Sequence, residues 1–309
     1  MSAVDLSLSD EAFRASVVGA GEVSALFDAS PWLTKFELFH RKKGTIATPE
    51  FNAVTNGVPA DMRIFCGVML EPVVIEIACR LWGYERVETP KRLTNGKGLG
   101  GHPDQLVRCP ERGVGVLEIK TADWLVAKGW GDEPPLNYQL QAQTYAGLAG
   151  VDWCEIITLV GGNDPRRFPL PFKPKVYAEI ERRVAEFWAD VEADRAPPVD
   201  YARDGKTLVE ALGQPTDEVA DIRESLDAEQ EAMDFLEAKA RRDAAEHDME
   251  VAKTRLIERI GTAGVALLPG HRLTANRTKD TPDREAKPGE IIKGRRGYRR
   301  FDLKALEAK

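Results

Sequence analysis

The stretch that decides the fold runs from residue 101 to residue 121 and reads GHPDQLVRCPERGVGVLEIKT. Two short runs rich in apolar residues flank a segment that carries Pro110, Gly113 and Gly115. Alternating apolar and polar residues bounded by turn residues are typical of β-strands. We therefore predict a β-hairpin whose turn contains these three residues.

Charged residues concentrate on one face of this predicted hairpin. Glu118 and Lys120 lie two positions apart on the second strand, so they project to one face, while Leu117 and Ile119 project into a core. We expect Asp104 on the first strand. If Asp104 faces the same side, two carboxylates and one ammonium group converge, and such hard oxygen ligands suit Mg²⁺ or Mn²⁺. The alternative is a surface hairpin with an ordinary Glu-x-Lys pair.

The composition restricts the class of protein. A chain of 309 residues can form one large domain or two modest ones. The net charge of -7 argues against a generally basic nucleic-acid coat, so any DNA contact must come from local patches. The lack of a signal sequence and of a long apolar run predicts a soluble protein without membrane contacts, in the cytoplasm or, if a phage encodes it, in the host cytoplasm. The chain has four scattered cysteines and no CxxC pair: Cys66, Cys79, Cys109 and Cys154. This spacing indicates neither a zinc knuckle nor a disulfide framework.

A candidate phosphate site lies near the N-terminus. Residues 9–44 carry a helical pattern in which Arg14 precedes a turn of small residues that ends at Gly21. Backbone N–H groups at the helix start that follows, together with the Arg14 guanidinium, can bind a phosphate. Simple packing of a helix-turn-helix unit explains the same residues without a ligand.

Another candidate acid lies on the next helical segment. Residues 62–84 read MRIFCGVMLEPVVIEIACRLWGY, with apolar residues at helical spacing, and predict a long and largely buried helix. Its regular part should start at about Pro72, because a proline in the first turn loses no hydrogen bond. Glu71 in this apolar setting is costly to ionise unless a cation or hydrogen bonds compensate its charge. Glu76 is assigned to a solvated face.

Amides are concentrated in the segment after the hairpin. Residues 122–136 predict a loop that can hang over the site, and residues 137–150, NYQLQAQTYAGLAG, predict a helix. The polar residues of this helix occupy two faces at i,i+4 spacing, Gln139 with Gln143 and Gln141 with Tyr145. The polar stripe indicates a helix that faces a specific group, although a solvated stripe would look the same.

The C-terminal third of the chain differs in composition. The sequence RAPPVD at 195–200 marks a boundary, which gives domains 1–205 and 206–309. Residues 217–260 are rich in Ala, Glu, Lys and Arg and predict one long helix or a helical pair that stops at Gly261 or Gly264. From Gly270 onward, 12 Lys and Arg residues stand against 6 Asp and Glu residues. This is either a solvated basic tail or a phosphate-contacting arm, centred on Lys293, Arg295, Arg296, Arg299 and Arg300.

Four motifs in this order resemble one known family. They are the glutamate of GVMLEPVVIEIA, the aspartate of GHPDQLV, the E-x-K of VLEIKTA and the Q-x-Q of YQLQAQTY. The chain resembles the PD-(D/E)XK nuclease superfamily and, within it, the YqaJ-like recombinase exonucleases of phages related to the lambda exonuclease, over roughly residues 10–195. The resemblance implies an α/β restriction-endonuclease-like core, a mixed central sheet flanked by helices, with an α-helical C-terminal extension.

The resemblance also implies roles for individual residues. Asp104, Glu118 and the main-chain carbonyl of Ile119 would bind one or two Mg²⁺ or Mn²⁺ ions, and Glu71 would complete the acidic cluster. Lys120 would orient or deprotonate the attacking water, or stabilise charge on the phosphate. Gln143 and Gln141 would hold the nucleophile or the scissile phosphate. The positions that would bind substrate are Arg14, Gly21 and Tyr138. Because the family often has serine at the position of Gly21, a preference for 5′-phosphorylated ends is in doubt.

The activity implied is a metal-dependent exonuclease. It would digest one strand of double-stranded DNA from its ends, 5′ to 3′, and leave a 3′ single strand for recombination. The expected partners are DNA ends, a single-strand annealing protein and further copies of the same chain. The alternatives are a RecB-like nuclease of the other polarity and a non-catalytic DNA-end-binding protein.

Overall fold

The structure of the protein is a computed structural model, and it describes residues 9–49, 54–55, 58–269 and 271–275. The helices are α1 (Asp10–Ser16), α2 (Lys35–Lys43), α3 (Met62–Trp82), α4 (Trp124–Lys128), α5 (Leu136–Ala149), α6 (Pro174–Glu192), α7 (Gly205–Leu212) and α8 (Leu226–Ile260), with a 3-10 helix at Val23–Phe27. The strands are β1 (Val18–Gly19), β2 (Val54–Thr55), β3 (Val58–Pro59), β4 (Glu85–Val87), β5 (Leu93–Thr94), β6 (Leu99–Gly101), β7 (Gln105–Cys109), β8 (Gly113–Ala122), β9 (Trp153–Val160), β10 (Asp164–Pro171), β11 (Val265–Leu268) and β12 (His271–Thr274).

The core of the fold is a five-stranded sheet with the order β10-β9-β8-β7-β4. Strands β8 and β9 are parallel, and the other neighbours are antiparallel. All eight residues of β9 are buried, as expected for a strand covered on both faces. The predicted fold class, a mixed sheet flanked by helices with a helical C-terminal segment, is confirmed.

The two faces of the sheet pack against different helices. On one face, Leu117 and Ile119 pack with Val74 and Ile75 of α3. On the other face, Val116 of β8 packs with α5. Because side chains alternate along a strand, this second face is also the one that carries Glu118 and Lys120.

The predicted hairpin exists, with two changes in detail. Strands β7 and β8 pair in the register that joins Gln105 to Leu117 and Cys109 to Gly113. The turn therefore lies at residues 110–112, and Gly113 and Gly115 belong to β8 rather than to the turn. Asp104 directly precedes β7 instead of lying on it. Gly115 is required within the strand, because a Cβ atom there would lie 2.2 Å from the Trp153 ring.

The expectation that α3 is largely buried is wrong. Only Val74, Ile75 and Ala78 of its residues are buried, and most of the segment 62–70 is exposed. Packing against the sheet buries residues only in the C-terminal half of the helix, so apolar composition alone overstated its burial. Pro72 lies inside the helix rather than at its start. Glu76 is exposed and accepts a hydrogen bond from the Arg80 Nε at 2.7 Å, which confirms its assignment to the solvated face.

Two elements were not predicted from the sequence. The segment expected to be a loop contains the short helix α4, whose first residues are exposed. Strand β10 carries Pro165, Pro169 and Pro171, and because prolines are typical of loops, the sequence did not indicate a strand here. It pairs with β9 along its full length and forms the edge of the sheet, where a missing N–H group costs least.

The chain divides into two compact units, Met1–Gln214 and Pro215–Lys309. The motif RAPPVD led us to expect the boundary at residue 205, whereas α7 belongs to the first unit. In the second unit, the predicted long helix is present as α8, and it ends before Gly261, whose φ of 56° is readily adopted by glycine. The predicted basic cluster at 293–300 lies outside the described residues. No helix in the part of the chain that the structure describes is long and apolar enough to cross a membrane.

Candidate active site

The site is built where β7 begins beside the C-terminal part of β8. The Asp104 side chain is half-buried, and its Oδ2 accepts a hydrogen bond from the Ile119 backbone N–H at 2.7 Å. In an extended strand the N–H and C=O groups of one residue point to the same side. The carbonyl of Ile119 therefore faces the side on which Asp104 lies.

Glu118 is the most informative residue of the site. Its side chain is 1% exposed, and its Oε1 accepts a hydrogen bond from the Lys120 Nζ at 2.5 Å. The other oxygen, Oε2, is buried and has no hydrogen-bond partner within the described part of the chain. A buried carboxylate oxygen without a partner is costly, and such oxygens are usually compensated by a donor or a cation.

Lys120 is held by three neighbours. Besides Glu118, its ammonium group donates to the Gln141 Oε1 at 3.2 Å and lies 5.0 Å from the centroid of the Tyr138 ring. Burial lowers the pKa of Lys120, but the negative charges of Glu118 and Asp104 outweigh that effect and leave its pKa above the usual value. The ammonium group is therefore protonated at neutral pH.

The carboxylates repel one another. Burial, followed by the charge of Glu118, raises the pKa of Asp104 well above its usual value. The same two causes raise the pKa of Glu71. Glu71 is therefore close enough for its charge to interact with that of Glu118, although α3 packs on the opposite face of the sheet. Among the residues that the structure describes, no group of three His, Cys, Asp or Glu side chains is arranged so that it could hold a metal ion by itself.

The donor set nevertheless fits a divalent cation. Mg²⁺ keeps several waters and is typically bound by one or two carboxylates together with substrate phosphates. Asp104, the unpartnered Oε2 of Glu118 and the carbonyl of Ile119 offer such oxygen ligands. A cation would also relieve the repulsion that raises the carboxylate pKa values.

The two glutamines of the Q-x-Q motif have different surroundings. Gln141 contacts Lys120, whereas Gln143 is buried and tied to the segment before α6. Its Nε2 donates to the Pro171 carbonyl and its Oε1 accepts from the Lys173 N–H, both at 2.8 Å. Because a helix turns by about 200° over two residues, Gln141 faces Lys120 while Gln143 points toward the segment before α6. A role for Gln143 at the nucleophile or phosphate stays a prediction.

The residues of the predicted phosphate pocket lie at the margin of this site. Gly21 is exposed, and a Cβ atom on it would lie 3.8 Å from the Gln141 side chain. Arg14 is exposed in the last turn of α1, and its backbone carbonyl accepts a hydrogen bond from the Lys42 Nζ at 2.8 Å. After burial, the positive charge of Arg14 is the next cause that lowers the pKa of His102. The structure thus brings Gly21 to the site and leaves the Arg14 guanidinium beside His102.

A row of aromatic rings leads away from Lys120, and the sequence did not predict it. The Tyr138 ring lies 5.5 Å from the Trp130 ring and 6.3 Å from the Trp32 ring, centroid to centroid, and Trp130 lies 6.3 Å from Phe168. We call Trp32, Tyr138, Trp130 and Phe168 the aromatic row. Trp32 and Phe168 come from distant parts of the chain, so no local pattern could have joined them to the other two.

Comparison with known proteins gives three similarities. Residues 11–152 match the sequence profile of the YqaJ-like viral recombinase domain. The chain is 26% identical over 197 residues to the uncharacterized protein YqaJ of Bacillus subtilis (strain 168), covering 60% of this chain and 57% of that protein. Among solved structures, it is similar to an alkaline exonuclease from Laribacter hongkongensis, with 20% identity, a TM-score of 0.47 and coverage of 60% of this chain and 92% of that one. It is also similar to a phage-related exonuclease from Haemophilus somnus 129PT, with 15% identity, a TM-score of 0.36 and coverage of 56% and 83%.

Proposed function

We propose that this chain, whose residues 11–152 match the sequence profile of the YqaJ-like viral recombinase domain, is a metal-dependent exonuclease acting on double-stranded DNA. It digests one strand from an end, 5′ to 3′, and leaves a 3′ single strand for homologous recombination. The reaction is hydrolysis, in which water attacks the phosphorus atom and the bond to the leaving sugar oxygen breaks.

One observation carries this proposal. Glu118 is a buried glutamate with one oxygen paired to Lys120 and the other oxygen without a partner. In a buried ion pair of purely structural role, the remaining lone pairs are usually satisfied by further hydrogen bonds, because removing a carboxylate from water is costly. The arrangement is what a cation-binding carboxylate beside a phosphate-binding ammonium group requires.

The chain's residues divide the chemistry between them. Asp104, Glu118 and the Ile119 carbonyl would hold one or two Mg²⁺ or Mn²⁺ ions, which would supply Lewis acidity toward the phosphate and toward water. Glu71 would add a further negative charge to this set, since its charge interacts with that of Glu118. Its half-buried carboxylate strengthens the attraction of the site for cations.

Lys120 acts as a positively charged hydrogen-bond donor. Because its pKa is raised, it remains protonated at neutral pH and is a poor base for water. It stabilises the charge that develops on the phosphate oxygens as the bond to the leaving group lengthens. Gln141 accepts a hydrogen bond from the ammonium group and fixes its direction.

The margin of the site binds the 5′ end of the digested strand. The backbone N–H of Gly21 and the Arg14 guanidinium offer donors to a terminal phosphate, and a guanidinium can bind such a group with paired hydrogen bonds. With glycine in place of a hydroxyl-bearing residue, the chain relies on Arg14 for most of this recognition.

The experiment uses the full-length protein and duplexes labelled at one end or the other, with and without a 5′-phosphate. We expect digestion with Mg²⁺ or Mn²⁺ and no digestion with EDTA. Mononucleotides should be released from the 5′ end of the digested strand. Glu118→Gln and Lys120→Ala should each lower the rate by about 10²–10³-fold, the scale reported for loss of one electrostatic group from an active site. Because the groups act as a unit, the double variant should be no slower than the worse single variant.

The matched control is Glu76→Gln, which removes an exposed acid of α3 outside the site and should digest at the wild-type rate. Digestion that starts at the 3′ end of a strand would favour the alternative of a RecB-like nuclease of the other polarity. Binding to DNA ends without digestion under any metal condition would favour a non-catalytic end-binding protein and would contradict the proposal.

The partners proposed by resemblance are a single-strand annealing protein and further copies of this chain. Helix α8 is the candidate surface, because it buries none of its 35 residues. It carries 10 Asp and Glu residues against 6 Lys and Arg residues, so it repels phosphates. A protein partner therefore suits α8 better than DNA does.

A further inference from the structure

The aromatic row has one strongly exposed member beside the site. Trp32 is 69% exposed although its ring packs near Tyr138, with an angle of 34° between the ring planes. Tyr138 is itself next to the Lys120 ammonium group. The row thus offers a flat apolar surface directly beside the group that, in the proposed function, binds a phosphate.

Trp32 is presented by a backbone that is fixed in place. The Ser30 Oγ accepts hydrogen bonds from the N–H groups of Trp32 at 3.4 Å and Leu33 at 3.0 Å. The Arg203 guanidinium donates to the Ser30 carbonyl at 2.8 Å, and Leu33 is buried in the core. An exposed tryptophan on an anchored loop loses little conformational freedom when it binds a ligand.

A second anchor holds the other side of the same loop. The Thr34 hydroxyl donates to the Asp204 Oδ1 at 2.5 Å, and Asp204 is 1% exposed. The Asp204 Oδ2 in turn accepts from the Asp200 N–H at 2.8 Å. The segment after α6 therefore fixes the position of Trp32.

We propose that the aromatic row binds an unpaired nucleobase of the DNA end, stacked on Trp32. The proposal rests on the proposed function, because it needs a DNA strand whose phosphate lies at Lys120. Neighbouring nucleotides lie about 3.4 Å apart in a duplex, so the bases next to that phosphate are within reach of the row. Every base has a flat π face, and stacking on aromatic side chains needs no particular sequence.

The position of the row favours a nucleobase over a protein side chain as its occupant. Tyr138, the ring that joins Trp32 to Trp130, lies beside the Lys120 ammonium group, which also contacts the Gln141 amide. These polar groups suit the charged backbone attached to a base. An unpaired base is also what digestion of one strand requires, because the scissile phosphate must leave the duplex to reach buried carboxylates. Holding the base on Trp32 offsets part of the cost of unpairing it.

The test measures binding of the full-length protein to fluorescently labelled duplexes with phosphorothioate linkages at both ends, which resist digestion. One duplex is fully paired, and the other has three mismatched pairs at one end. Trp32→Ala should weaken binding to the mismatched end by about 5- to 150-fold, the range measured for loss of one base-aromatic contact. Trp32→Phe should restore most of the affinity.

A second readout reports stacking directly. With 2-aminopurine at the terminal position, the wild-type protein should quench the fluorescence of the base, and Trp32→Ala should quench it less. The matched control is Trp124→Ala, which removes a tryptophan that is 57% exposed on α4 and outside the row. This control should bind and quench as the wild type does.

The outcomes separate this inference from the proposed function. If the wild type digests unprotected duplexes while Trp32→Ala binds and quenches as well as the wild type, the stacking role is overturned and the exonuclease proposal stands. If the wild type digests nothing, the exonuclease proposal fails by itself. If Trp32→Ala changes the mass of the protein in light scattering but not its DNA affinity, the row binds protein and the inference is wrong.

Discussion

Two buried glutamates on neighbouring strands show how the structure separates function from packing. Glu155 on β9 has both oxygens paired, one with the Tyr84 hydroxyl at 2.6 Å and one with the Arg112 guanidinium at 2.7 Å. Glu118 on β8 has one paired oxygen and one without a partner in the described residues. In the sequence both lie in apolar strands, and only the E-x-K spacing with Lys120 marks Glu118. Partner geometry also distinguishes them, because of the two only Glu118 keeps an oxygen without a hydrogen-bond partner.

Metal binding should therefore be visible in the stability of the protein. At a Mg²⁺ or Mn²⁺ concentration of about 100 times Kd, binding to the folded state adds about 2.7 kcal/mol, which raises Tm by roughly 5–10 °C for a unit of this size. Asp104→Asn and Glu118→Gln should lose this increase, and Glu76→Gln should keep it. The measurement is a thermal melt in EDTA and across a metal titration. An equal increase in all four proteins would show that the metal binds elsewhere.

The Q-x-Q motif provides a matched pair of variants. Gln141→Ala should lower the cleavage rate with little change in Tm, because Gln141 is only half-buried and its side-chain oxygen accepts a hydrogen bond from Lys120. Gln143→Ala should lower stability by about 1–3 kcal/mol, because it leaves the Lys173 N–H and the Pro171 carbonyl without partners. Its cleavage rate, measured well below its Tm, should stay near that of the wild type. The reverse pattern would return the catalytic role to Gln143.

Arg14→Ala tests the recognition of the 5′ end. We expect slower digestion of 5′-phosphorylated duplexes and unchanged digestion of duplexes with a 5′-hydroxyl, since only the first offers the guanidinium a terminal phosphate. Arg108→Ala, which removes another exposed arginine, serves as the control. Equal losses on both kinds of end would assign Arg14 to folding or to general DNA binding.

At the scale of elements, close helix packing depends on one glycine. A Cβ atom at Gly147 of α5 would lie 2.1 Å from the Tyr177 ring of α6, so Gly147→Ala must separate the two helices. We expect it to destabilise the protein by about 1–3 kcal/mol, although alanine favours a helix by about 1 kcal/mol over glycine. Gly67→Ala in α3 is the control, because its Cβ would meet only the Thr121 hydroxyl at 3.7 Å. It should raise stability, and chemical denaturation measures both changes.

The elements were predictable where one periodicity governed them. The alternation around Glu118 and Lys120 placed both on one face, and the composition of residues 217–260 indicated a long helix. Strand β10 was missed because its three prolines are permitted only by its position at the sheet edge. The exposure of α3 was missed because burial depends on how far the sheet extends beneath the helix. Both depend on tertiary context, which periodicity does not encode.

At the scale of the whole molecule, the first unit should function without the second. A chain ending at Gln214 should keep the Tm of the first unit and its metal-dependent cleavage of short duplexes. It should form a smaller oligomer, bind the partner less well or digest DNA less processively. A chain ending at Tyr201 lacks Asp204, a buried anchor, and should melt at a lower temperature. Light scattering and digestion of a long duplex at two salt concentrations measure these effects. If the chain ending at Gln214 matches the full chain in mass, salt dependence and run length, the second unit has another role.

The link between Thr34 and Asp204 also affects the order of events during synthesis. The two residues are 170 positions apart in the chain. At a translation rate of about 5–20 residues per second, the ribosome adds Asp204 roughly 10 to 30 seconds after Thr34. Throughout that interval the loop of Trp32 lacks its second anchor, so a nascent chain can form the helices and hairpin of the nuclease core before the surface beside its active site is fixed. The loop that presents Trp32 would therefore take its final position only once synthesis has passed α6.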